Sequence, residues 1–149
     1  MTVVRVAFTQ ATWTGDKESM IALHEAWTRE AASQGAQVIA YQELFYGPYF
    51  GITQDSAYYS YAESVPGPTT ERFSTLAKEL GIVIVLPVYE EDQPGVLYNT
   101  AAVIDADGSY LASTASTTSR TFRSSGRSST SARATSGTRC SRRPSARSP

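Results

Sequence analysis

Glu43 is the side chain in this sequence best set for chemistry. It follows a short apolar run and opens a loop dense in glycine, proline and aromatic rings, "GAQVIAYQELFYGPYF". Ligands of α/β sheets gather beyond the carboxyl ends of the strands, so an acid there can serve as a general base. Apolar neighbours would desolvate that carboxylate and poise it to take a proton near neutral pH. On position alone an ordinary solvated loop acid is the commoner case. Tyr46, Tyr49 and Phe50 lie in the same loop and are the candidates for pocket walls, with plain packing as the competing role. Tyr58, Tyr59 and Tyr61 read as structural, and His24 reads as a solvated or capping histidine beside the apolar face of a helix. One His and one distant Cys give no metal-ligand spacing, so no metal site is expected. Cys140, in "TRCSR", has arginines that could favour a thiolate, but nothing else around it resembles a nucleophile's setting.

Positioning Glu43 requires a framework, and the patterning supplies one. "VVRVAF" (Val3 to Phe8) reads as a strand. Asp16 can cap a helix running to about Ser33, with Met20, Leu23, Trp27 and Ala31 on one face and Gly35 just past its end. "AQVIAYQ" is a short buried-type strand. After "PGPT", Thr69 or Thr70 starts a second amphipathic helix carrying Phe73, Leu76, Ala77 and Leu80, closed by Gly81. "IVIVLPVY" is a continuous apolar run of the kind buried on both faces. "LYNTAAVIDADGSYL" reads as strand, Asp-Gly turn and return strand. The order β-α-β-α-β-β predicts an α/β layered domain with a mixed sheet.

Beyond Leu111 the character changes. Residues 1–111 hold all 14 acidic residues against 5 basic ones, whereas residues 112–149 hold 8 arginines, no acid, 12 serines and 7 threonines. The net charge of −1 describes neither part. Such a segment buries too little apolar surface to offset its chain entropy and is expected to be a disordered tail. The sequence has no transmembrane run and its start does not read as a signal peptide. A single cysteine excludes an internal disulfide. A cytoplasmic location is the expectation.

The segments "VVRVAFTQ", "GAQVIAYQELF", "PGPTTERFSTLAKELGIVIVLPVYEE" and "YNTAAVIDADGSYL" together resemble the nitrilase superfamily of carbon–nitrogen hydrolases, in order and spacing, over residues 1–111. The aromatic loop and "YNTAAVIDADG" are most similar to the N-carbamoyl amidohydrolase branch. This resemblance implies an αββα four-layer sandwich, of which residues 1–111 would be the N-terminal half. It also implies homo-oligomers, a small-molecule amide or carbamoyl substrate, no cofactor, and a Glu–Lys–Cys triad whose glutamate is Glu43. In that triad the glutamate takes the thiol proton, the thiolate attacks the carbonyl carbon, and the lysine stabilises the oxyanion.

The same resemblance accounts for the tail. Family members continue after "DGSYL" with a segment like "GKYRKHHIP", which contains the lysine. Written in GC-rich codons and read one base late, that segment becomes "ASTASTTSR", the residues Ala112 to Arg120. A following "FYFRPGNLGYPVF" read in the same shifted register becomes "STSARATSGTRCS", Ser129 to Ser141. Residues 112–149 are therefore expected to be a frameshifted translation, with Ser116 where the lysine should stand and the nucleophilic cysteine missing. The alternative is a non-catalytic protein whose Arg/Ser tail contacts RNA or another polyanion. The tail lacks the interleaved aromatics that stack on bases, which makes nucleic-acid binding the weaker reading.

Overall fold

The structure is a computed structural model that describes residues 3–48, 56–116 and 138–142. Its elements are β1 (Val6–Phe8), α1 (Lys17–Ser33), β2 (Val38–Ala40), a 3-10 turn (Ser56–Tyr61), α2 (Pro68–Leu80), β3 (Val83–Gln93), β4 (Val96–Ile104), β5 (Tyr110–Ser116) and β6 (Thr138–Arg142). The six strands form one sheet in the order β1-β2-β3-β4-β5-β6. The first three run parallel and the rest antiparallel. The expected β-α-β-α-β-β order is thus present as a mixed sheet.

Both helices begin and end for local reasons. The Asp16 carboxylate accepts from Ser19 N at 2.8 Å and caps α1. At α2, Gly67 N donates to Thr70 Oγ1 and Thr69 N donates to Glu63 Oε2, while Pro68 occupies the first turn. Gly81 closes α2 in the left-handed conformation at φ 63°.

The buried stripe of α1 is rotated from the expected one. Met20, Ile21, His24 and Thr28 are buried, whereas Leu23, Trp27 and Ala31 are half-covered. The sequence pattern followed the large apolar side chains, but the sheet takes the face one residue round, and this corrects the reading of His24 as solvated. That ring is fully buried between Trp27, Tyr41 and Phe45, with centroids 4.8 to 5.4 Å away.

The expectation that β3 is buried on both faces is also corrected. Ile84, Leu86 and Val88 are fully buried in the core with the helices, while Val83, Val85 and Pro87 on the other face are only half-buried. Pairing makes Phe8, Ala40, Val85, Val103 and Ala112 one cross-strand row on that second face. Among the described residues the core lies on one side of the sheet because α1 and α2 both do. Phe8, at 80% exposed, marks how open the other side is.

The hairpin expected at Asp-Gly forms, with Gly108 N donating to Asp105 O at 2.9 Å and Gly108 at φ 85°. Its return strand runs on past Leu111 to Ser116, and Thr138–Arg142 pairs beside it as β6. Serine, threonine and alanine are compatible with a strand, and the edge of β4 offers a ladder of unpaired donors and acceptors. The remaining tail residues lie outside the described residues.

Candidate active site

The loop after β2 is built by burying its rings. Phe45 and Tyr46 are fully buried, and Leu44 between them and Glu43 is 3% exposed. The Tyr46 hydroxyl accepts from Tyr89 N at 2.8 Å and reaches Tyr89 O at 3.3 Å, which ties the loop to β3. Burial pushes that phenol far above its ordinary pKa, and the nearby Glu63 charge adds to the effect, so it stays protonated. The Lys17 ammonium sits 4.4 Å above the same ring.

Gln42, just before Glu43, donates through Nε2 to Ala11 O at 3.1 Å, and its Oε1 accepts from Ala11 N. One carboxamide therefore clamps the loop after β1 against the loop after β2. Leu44 adopts φ 50°, a left-handed conformation that costs a branched L-residue about 1–2 kcal/mol. Strain of this kind persists only where packing over-determines it, and it recurs at functional turns. Here it turns the chain sharply, so that Leu44 goes inward while Glu43 goes outward.

Glu43 is exposed, and among the described residues it lacks the desolvating apolar shell expected around it. The same tight turn that buries its three successors leaves it at the sheet's rim. Its Oε1 accepts a hydrogen bond from Asn99 Nδ2 on β4. Asn99 pairs with Tyr89 on β3 and with Ser116 on β5, so the three positions form one row on the helix-free face. Ser116 Oγ also approaches Asn99 O at 3.4 Å. The structure thus joins Glu43 to the strand bearing Ser116 through a single asparagine.

Of the four residues expected at the site, Glu43 and Tyr46 share a turn but diverge, one toward β4 and the other into the core. Tyr49 and Phe50 lie outside the described residues. Tyr46, Tyr58, Tyr61 and Tyr89 do line a crevice, but at about 10 Å³ it holds no more than a water. A larger cleft of about 350 Å³, between Arg5, Trp27 and Glu30, contains none of the residues around Glu43. Both lysines of the chain are elsewhere. Lys17 is engaged with Glu63 and Tyr61 O, and Lys78 stands in the last turn of α2. Cys140 lies on β6, paired in register with Thr114.

Two residues of the site escaped the sequence reading, Gln42 and Asn99. The signal for Asn99 was present, since asparagine is disfavoured in mid-strand and "LYNTAAV" otherwise reads as a strand.

Comparison with known proteins agrees with this architecture. The carbon-nitrogen hydrolase family model matches residues 5–127. N-carbamoylputrescine amidase of Solanum lycopersicum is 42% identical over 110 residues, covering 73% of this chain and 36% of the relative. Omega-amidase NIT2 of Xenopus tropicalis is 44% identical over 84 residues, covering 56% of this chain and 29% of the relative. The crystal structure of an amidase from Nesterenkonia sp. superposes with a TM-score of 0.58 at 28% identity, covering 75% of this chain and 42% of that one. The chain belongs to the carbon–nitrogen hydrolase family, the nitrilase superfamily, and its fold is a partial nitrilase fold. It spans well under half the length of these relatives.

Proposed function

We propose that this chain is the N-terminal part of an amidase that hydrolyses a small amide or N-carbamoyl compound, with Glu43 as its general base. The relatives divide between an N-carbamoylputrescine amidase and an omega-amidase, and the N-carbamoyl branch is the reading favoured here. In the complete enzyme the Glu43 carboxylate accepts the thiol proton of a cysteine, and the thiolate adds to the substrate carbonyl carbon. Collapse of the adduct expels ammonia, which carries away the proton from Glu43. Water, deprotonated by the same carboxylate, then cleaves the thioester, and the proton passes from Glu43 back to the departing cysteine sulfur. From an N-carbamoyl substrate the acid so released is a carbamic acid, which breaks down to carbon dioxide and the free amine.

One observation carries the reading. A one-base shift after Leu111 predicts that Ser116 replaces the oxyanion-stabilising lysine. Ser116 is also the residue paired with Asn99, whose side chain holds Glu43. The strand register is compatible with the position that the codon argument names, and this supports the reading. An ammonium on that strand would lie on the same face as the carboxylate, suited to a developing oxyanion.

The test is the nucleotide sequence downstream of codon 111. The unshifted frame is expected to encode a lysine at position 116 and a cysteine further on, and the frame-restored protein is expected to release ammonia from an N-carbamoyl amine. An unshifted frame without that lysine sinks the frameshift, and a restored protein inert toward N-carbamoyl amines and omega-amides sinks the amidase assignment.

A further inference from the structure

We propose that Asn99 is the positioning residue of Glu43: its Nδ2 holds Oε1, leaving Oε2 as the oxygen that takes and returns the proton. This inference rests on the amidase reading and deepens it.

The geometry makes Asn99 suited to the task. Glu43 is exposed and sits in an irregular turn, and among the described residues of its own loop none donates a hydrogen bond to its carboxylate. Asn99, by contrast, stands inside the sheet, paired on both sides with Tyr89 and Ser116, where its backbone cannot drift. A strand is a more precise mount than a loop for a group that must orient another. Its contact to Glu43 crosses between chain segments 56 residues apart, and so depends on the assembled sheet.

The chemistry of the donor matters as much as its place. An ammonium or guanidinium at position 99 would also orient the carboxylate, but its charge would blunt the basicity that proton transfer needs. A neutral carboxamide orients at much smaller cost in basicity. It engages one carboxylate oxygen, and the acid's remaining acceptor capacity stays available to a thiol or a water. The adjacent Thr100 cannot substitute, because it is on the helix-facing side and donates to buried Glu90.

Two measurements test this. In the 149-residue chain, the side-chain NH2 resonances of Asn99 are expected to shift in Glu43→Gln, which replaces the charged acceptor with a neutral carboxamide. Asn99 resonances unaffected by Glu43→Gln overturn the proposal. In the frame-restored enzyme, Asn99→Ala is expected to lower kcat by about tenfold to a hundredfold with KM nearly unchanged. Asn99→Asp, which keeps the shape but loses the donor, is expected to do the same and serves if the alanine variant does not fold. On a Glu43→Gln background, Asn99→Ala is expected to cost nothing further, which a merely structural role would not produce. Undiminished kcat, or a loss fully additive with Glu43→Gln, overturns the positioning role while leaving the amidase reading intact. A restored parent with no hydrolysis overturns both together.

Discussion

Glu43 and His24 are both read differently once their surroundings are known, and for opposite reasons. Glu43 was expected among apolar groups and stands at the rim, held by an amide. His24 was expected in solvent and is enclosed. Its Nδ1 lies 2.8 Å from Met20 O, and its buried Nε2 has no hydrogen-bond partner among the described residues. Burial lowers its pKa, outweighing the opposite effect of the bond to Met20. A histidine with a depressed folded pKa binds fewer protons folded than unfolded, so stability rises with pH across the intervening window. The full contribution is present above the unfolded value of about 6.5 and is lost as pH falls below it. The urea midpoint in dilute solution is therefore expected to drop between about pH 7.5 and pH 5, and His24→Phe is expected to flatten much of that drop. A variant with the parent's pH dependence would assign the effect to other groups. Leu44 gives a second test at this scale. Leu44→Gly relieves backbone strain of about 1–2 kcal/mol but deletes a buried side chain worth about 2–5 kcal/mol. Net destabilisation is the expected outcome in urea unfolding, because packing, rather than backbone preference, holds the turn that exposes Glu43.

Elements were legible in the sequence where local chemistry decides them. Asp16 and Gly81 mark helix ends through caps that need only near neighbours, and the Asp-Gly turn announces its hairpin in the same way. Helix α2, by contrast, begins at Pro68, ahead of the Thr69 or Thr70 expected, because Gly67 rather than a threonine takes the cap position. What the sequence did not disclose depends on distant chain. The rotation of the α1 stripe follows from which face the sheet takes, and the half-exposure of β3 from what does not cover it. Strand β5 continues through "ASTAS" because β4 lends it a ladder. At the site, Glu43 was legible from its place after an apolar run and from resemblance, while Asn99 needed the register between two strands to acquire meaning. Turn chemistry yields a comparison between two glycines. Gly81, at φ 63°, has open space where a Cβ would go, whereas a Cβ on Gly108, at φ 85°, would come within 2.7 Å of Ser74 O. Gly81→Ala is expected to cost only backbone strain, about 1 kcal/mol. Gly108→Ala must also push the hairpin off α2, and is expected to cost about 2 kcal/mol or more in chemical denaturation. Equal costs at the two sites would mean that the hairpin does not bear on α2.

At the scale of the molecule, the decisive fact is that among the described residues the sheet carries helices on one face only. The other face presents Val6 at 49% and Phe8 at 80% exposure, with Val85, Pro87 and Val103 half-covered behind them. Exposed apolar surface beside a free edge strand is an association hazard. The family's longer members, of which this chain spans well under half, supply more chain than is present here. Association through this face is accordingly expected to limit the solubility of the chain as it stands, and polar substitution there should relieve it without touching the core. Val6→Thr with Phe8→Lys keeps one strand-compatible side chain and adds a charge at the edge. Light scattering and sedimentation are expected to show less self-association, with an unchanged far-ultraviolet circular dichroism spectrum. The control is one row across the pleat. Ile84→Thr, at a fully buried position, removes core packing and buries a hydroxyl, so it is expected to destabilise by about 2 kcal/mol or more and to increase association. If the surface pair associates as strongly as the parent, the helix-free face is not what drives the chain together. If both sets of substitutions behave alike, the division of the sheet into a packed and an open face is itself mistaken.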